Sequence, residues 1–246
     1  MANFSIELAG TIYFLYRPKV EHQTAQNLED VQRLTLVLKP DNAEQYVKIS
    51  IGKKRLPQNQ ETYFSLVDTV TNNLDSLLSL LKSETYTTAT RGQQKLPGMR
   101  CIGEGKFLLI QHQGHTHFIY QLSKPQKIGP VQEAFNLRLK DDFIVAIKNP
   151  SKASPPHAGL PPQQKANFSQ KLAEKFDDYS FIPLIPADFL YYEGEEIIWL
   201  AKQAKYLEAQ EISQCLEAIQ EQEIVVKLKK TVDAKSIAPL IDKQWV

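Results

Sequence analysis

Short runs of aromatic and β-branched residues follow one another through the first 150 positions, each closed by turn-forming residues. This rhythm restricts the chain to a β-rich fold. Gly10 to Tyr16 stops at Arg17-Pro18, and Leu34 to Leu38 stops at Lys39-Pro40-Asp41-Asn42. Tyr46 to Ile51 alternates apolar with polar and ends at Gly52, and Thr62 to Val70 is the next run. One helix interrupts: Leu74, Leu77, Leu78 and Leu81 form a helical stripe behind Asn73, a residue suited to capping. Strands resume at Tyr86 to Thr90, then at a hairpin over Phe107 to Tyr120, then at Ala134 to Leu139 and Phe143 to Ile147. Asp141-Asp142 between the last two predicts a second hairpin.

Pro150, Pro155, Pro156, Pro161 and Pro162 crowd one stretch. Such a segment can neither continue a helix nor enter a sheet interior, so it is a linker or a long ordered loop. Beyond it the pattern is mixed. Phe168, Leu172 and Phe176 mark a short helix, and Ile212, Cys215, Leu216 and Ile219 mark another. Residues 189–192 and 197–200 read as a hairpin around Glu193-Gly194-Glu195, Ile224 to Leu228 as a strand, and Asp233 as the cap of a final short helix. The expected fold class is α+β: a mainly antiparallel sheet, barrel or sandwich, with a smaller mixed α/β C-terminal segment packed on it. The expected division is a β-rich domain over 1–149, a proline-rich loop or linker over 150–164, and a mixed segment over 165–246 that forms one unit with the first.

Lys and Arg number 29 against 28 Asp and Glu. That balance lacks the overall field expected of a protein that binds nucleic acid or an anionic membrane. The two cysteines, Cys101 and Cys215, offer neither a disulfide framework nor a Cys-based metal spacing. No apolar stretch approaches a membrane span, and the short run Thr11 to Tyr16 lacks the leader of a secretory signal. These features predict a soluble, cytoplasmic protein without a membrane partner.

Three of the five histidines fall within six residues, in Gln111-His112-Gln113-Gly114-His115-Thr116-His117. Residues i and i+2 of a strand share a face, so His115 and His117 point the same way. If Gln113-Gly114 is a two-residue turn, His112 joins them. A three-residue turn with Gly114 left-handed is equally natural, because Gln resists positive φ, and it would take His112 off that face. The core side of the hairpin carries Phe107, Leu109, Phe118, Tyr120 and Leu122. The histidine side could meet solvent or line a cavity. Three imidazoles together would suit a divalent transition metal, with Gln121 or a remote carboxylate completing the shell. The spacing His115-Thr-His117 resembles the first metal motif of cupins, although Gln121 stands where that motif carries a carboxylate and no second motif follows.

A second constellation is basic. Arg17 and Lys19 end the first run, Arg33 opens the next, Lys53-Lys54-Arg55 follows Gly52, and Arg91 precedes Lys95 and Arg100. If these residues converge they form an anion pocket, with Arg17, Lys19, Arg33 and Arg91 as its ligand-binding residues. If they do not, they are solvated charges at strand ends. Phosphate-loop, dinucleotide, zinc-protease and serine-elbow motifs are missing. Asp68, Asp188 and Glu193 are unassigned acid-base candidates.

The segment Gly10 to Val20 containing Tyr16-Arg17-Pro18-Lys19-Val20, the run Asp30-Val31-Gln32-Arg33, and His115-Thr116-His117 are similar to an uncharacterised family of plant and bacterial proteins. Thr90-Arg91-Gly92, Gly103-Glu104-Gly105 and Tyr192-Glu193-Gly194 extend the resemblance to about residue 200. Some members are labelled cofactor-independent phosphoglycerate mutase-like, but this chain has neither a serine nucleophile segment nor that enzyme's spread of Asp and His ligands. The resemblance implies one coherent unit and no particular chemistry. Two functions therefore stand as expectations. One is a non-catalytic binding protein for a small anionic molecule or a protein partner. The other is a metal-dependent enzyme built on His112, His115 and His117.

Overall fold

The computed structural model describes residues 4–90, 92–153, 162–201, 210–219 and 234–246. Among the described residues there are eleven strands: β1 (Phe4–Pro18), β2 (Val31–Pro40), β3 (Tyr46–Ile51), β4 (Thr62–Thr71), β5 (Glu84–Thr88), β6 (Gly92–Leu96), β7 (Arg100–His112), β8 (His115–Lys124), β9 (Lys140–Lys148), β10 (Phe181–Pro183) and β11 (Glu196–Leu200). Five α-helical segments accompany them: α1 (Leu74–Leu81), α2 (Pro130–Ala134), α3 (Gln170–Ala173), α4 (Gln210–Ala218) and α5 (Ala238–Asp242).

Eight strands close into an antiparallel barrel in the order β9-β11-β4-β3-β2-β1-β7-β8, with β8 pairing back onto β9. Closure removes the exposed edges that an open sheet would present. The alternatives of barrel or sandwich thus resolve to a barrel. β10 pairs with β9 over Ala146–Lys148, beyond the stretch that β8 occupies, and β5 and β6 form a separate two-stranded ribbon. Strand β1 is long enough to wrap the barrel because bulges at Ile6/Leu8, Phe14/Leu15 and Arg17/Pro18 bend it.

Aromatic rings fill the interior. Phe107 stacks on Phe118 at 5.5 Å, and Trp199 stands edge-on to Phe118 at 4.8 Å and to Phe143 at 5.7 Å. The indole N–H of Trp199, which burial would otherwise leave unpaired, donates to Ser65 Oγ at 2.6 Å. At one mouth Tyr16, Phe135 and Trp245 form a mutual cluster with ring separations of 5.3 to 5.7 Å. Outside the wall, α1 buries Leu77, Leu78 and Leu81 against Tyr13, Leu15 and Cys101, while α4 lays Ile212 and Leu216 over Leu108, Ile110 and Ile119.

Several expectations need correction. Asp141 and Asp142 lie inside β9, opposite Tyr120 and Ile119, and do not make a hairpin turn. Residues 134–139 are not a strand. Helix α2 starts at Gly129-Pro130, with proline at the first turn where its missing N–H costs nothing, and ends at Ala134, after which the chain turns toward β9. The Gln132 side chain secures that helix by accepting from Gly129 N–H and donating to Ile102 O and Pro239 O. Residues 187–191 form a 3-10 turn rather than the first arm of a hairpin. The C-terminal third is not merely packed on a finished sheet, because β11 inserts between β4 and β9 as a barrel stave. Most of the proline-rich segment, the strand expected at 224–228 and the cap expected at Asp233 lie outside the described residues.

Candidate functional site

The histidine hairpin turns through two residues. Gln113 (φ 48°) and Gly114 (φ 78°) both take positive φ, the geometry of a type I′ turn, so the register of the strands overrides the reluctance of Gln. His112 therefore faces His115, and His117 faces Ile110, on the outer face of the barrel. The three rings are not brought together as one ligand set. His112 and His117 lie 6.2 Å apart between centroids, and His115 is exposed at the tip. His117 is buried, and its Nδ1 lies 3.1 and 3.3 Å from the two oxygens of Asp142. Among the described residues, no three His, Cys, Asp or Glu side chains come together closely enough to hold a metal ion.

The basic residues disperse, and Arg17 and Lys54 satisfy backbone carbonyls. Arg17 is buried. Its guanidinium donates to Leu80 O (2.6 Å), Lys82 O (3.1 Å) and Pro97 O, closing the C-terminal end of α1. Burial lowers its pKa to about 10, so it stays charged at neutral pH while remaining closed to an external ligand. Lys19 is exposed just past β1, and Arg91 lies outside the described residues. Lys54 Nζ donates to Leu28 O at 2.9 Å and Glu29 O at 3.2 Å, and Arg55 forks onto Glu61 at 2.8 and 3.1 Å. The basic residues do not meet the histidine face either. Phe4 at the start of β1 pairs with His112, whereas Arg17 near its end pairs with Arg33. At roughly 3.3 Å per residue the two constellations stand about 40 Å apart along the strand.

Of the four expected ligand residues, Arg33 alone among the described residues lines a groove. This is an open cavity of about 350 Å³ on the outer wall, bordered by Arg33, Ser50, Lys53, Phe64, Leu66 and Glu196. Its form follows from register. Ser50 pairs with Leu66 and Leu66 with Glu196, a row that crosses β3, β4 and β11. Gly52 stands one step along, between Arg33 and Phe64, with its N–H donating to Phe64 O at 2.7 Å. A Cβ on Gly52 would lie 2.6 Å from that carbonyl oxygen, so the position is confined to glycine. The missing side chain opens the floor between a cation and an aromatic ring.

A polar network orients the walls. Asp68 holds Lys48 at 2.7 Å and accepts from Ser50 Oγ, and Arg33 Nη1 donates to Ser50 at 3.2 Å while lying 3.7 Å from Asp68. The Arg33 side chain is 50% exposed, so this tether positions its guanidinium without consuming its donors. Glu196 is paired with buried Lys148 at 3.1 Å. The acids are thus matched by Lys48 and Lys148, and Arg33, Lys53 and Lys54 leave the groove positive. Behind the wall, Glu195 is 1% exposed, with a Lys148 backbone N–H directed at its carboxylate. Desolvation, reinforced by neighbouring Glu196 and opposed less strongly by Lys148, raises its pKa to about 9.

Glycine after a strand followed by Lys-Lys was legible as an anion-binding cue, but Phe64, Leu66 and Glu196 carry no signal of their own. They join the site only through cross-strand pairing, Leu66 meeting Glu196 across 130 residues of chain. Asp68, an acid-base candidate by sequence, serves to hold Lys48 and Ser50, and Glu193 accepts from Val70 N–H at 2.8 Å. Among the described residues, no helix is long and apolar enough to cross a membrane. Comparison with protein-family models, curated proteins and solved structures finds no match for the chain.

Proposed function

We propose that this is a non-catalytic binding protein whose ligand is a small anion held in the outer groove. Arg33 supplies a forked donor, and Lys53 and Lys54 supply point charge. The observation that carries this reading is the unbalanced positive charge around a preformed groove floored by Gly52. The groove's volume suits a small molecule. A metal-dependent enzyme on the histidine hairpin has less support, since the described residues there offer no ligand cluster. The test is thermal unfolding at low ionic strength with inorganic phosphate, sugar phosphates and polyphosphate. At least one should raise the midpoint, and the double variant Arg33→Ala with Lys53→Ala should abolish the rise. If no anion shifts the midpoint of the parent protein, the reading fails.

A further inference from the structure

We propose that the anion is carried on a flat ring whose edge donates a hydrogen bond, the chemical class of an amino-bearing nucleotide. This inference rests on the anion-binding reading and adds what occupies the rest of the groove. The groove changes character along its length. Arg33, Lys53 and Lys54 gather at one end around Gly52, Phe64 and Leu66 form the middle, and the Glu196 carboxylate lies at the far end. Arg33 on β2 and Glu196 on β11 are three strand spacings apart, about 14 Å across the wall before their side chains reach inward.

A bare phosphate or a sugar phosphate would satisfy the cationic end and leave the middle wet. Phe64 is half-buried, and its ring meets Phe181 at 6.4 Å in a tilted rather than a stacked arrangement. Its π-face suits a base, and every nucleobase has a face with which to stack on it. Glu196 gives one oxygen, Oε2, to Lys148. Its carboxylate has a second acceptor oxygen, which matches an exocyclic amine and disfavours a carbonyl edge. Cation, ring and acceptor therefore lie in the order phosphate, base, amine.

Titration calorimetry with adenosine monophosphate, ribose 5-phosphate and adenosine tests this on the full chain. Adenosine monophosphate should bind at least tenfold tighter than either fragment. Phe64→Leu keeps an apolar side chain in the wall. It should reduce nucleotide affinity to the ribose 5-phosphate level while leaving ribose 5-phosphate binding unchanged. Arg33→Ala should weaken both phosphorylated ligands. If nucleotide and ribose 5-phosphate bind equally, or Phe64→Leu leaves nucleotide binding intact, the ring assignment is wrong and the anion reading survives. If none of the three binds, the ring assignment is wrong and the anion reading is decided by the phosphate and polyphosphate shifts; if adenosine binds as tightly as the nucleotide, the anion reading falls as well.

Discussion

Replacing Glu195 with glutamine should stabilise the protein increasingly as pH rises. The carboxyl is buried, and desolvation raises its pKa to about 9 in the folded state against an ordinary 4.5. The folded form therefore keeps its proton at neutral pH and the unfolded form does not. Ionisation of the unfolded chain then favours unfolding at every pH above 4.5, until the folded carboxyl also ionises near 9. The stability present in acid is lost as pH rises through this window. At about 1.4 kcal/mol per pH unit, the wild type should lose about 3 kcal/mol between pH 4.5 and pH 7, rising toward about 6 kcal/mol by pH 9. Glutamine has nearly the same shape and does not titrate, so Glu195→Gln removes this slope. Urea unfolding of both proteins at half-unit steps from pH 4.5 to 8.5 measures it. The two stability curves should meet at the acid end and separate by about 3 kcal/mol at pH 7. Parallel curves would mean that Glu195 is ionised in the fold and that its site is hydrated or paired.

Other consequences are simpler to measure. Arg17→Ala should lower stability by about 3 kcal/mol in chemical denaturation, because it strands three carbonyls that a charged donor satisfies, and anion binding should be unaffected. Asp142→Ala should cost about 2 kcal/mol by removing the buried carboxylate that pairs with the His117 ring. A variant as stable as the parent would show that His117 repartners. Gln113→Asn should raise stability by about 0.5 kcal/mol, since asparagine tolerates the left-handed region that the first turn residue occupies. Metal analysis of protein purified without chelator should give well under one transition-metal ion per chain. A stoichiometric ion lost on His112→Ala would restore the histidine hairpin as a metal site.

Much of the local structure was legible because its causes are local. Asn73 caps α1 as its residue type suggests, its side chain accepting from Ser76 N–H at 3.0 Å. The leucine stripe behind it buries three of its four members. The alternation along β7 and β8 assigned the core face of the hairpin, Phe107, Leu109, Phe118, Tyr120 and Leu122, for the same reason: a strand's period of two is a property of its own backbone. The misreadings share a different cause. Phe143 to Ile147 was recognisably a strand, but whether Asp141 turns the chain or extends it depends on Tyr120, which pairs with it from β8. The segment at 187–191 is apolar enough for a strand, and packing of Phe189 and Leu190 into the core made it a 3-10 turn.

Composition and periodicity, acting within a few residues, were enough to determine a β-rich chain with a capped helix, a histidine hairpin and cations at strand ends. The closed barrel ties Arg17 to the carbonyls around α1 and leaves Arg33 on an open wall. The barrel also set the histidines at the opposite end of β1 and brought Glu196 beside Leu66 across 130 residues of chain. A side chain's preference for a strand or a turn is written in its own covalent structure. Its neighbours across a sheet are chosen by register and closure, which belong to the whole chain.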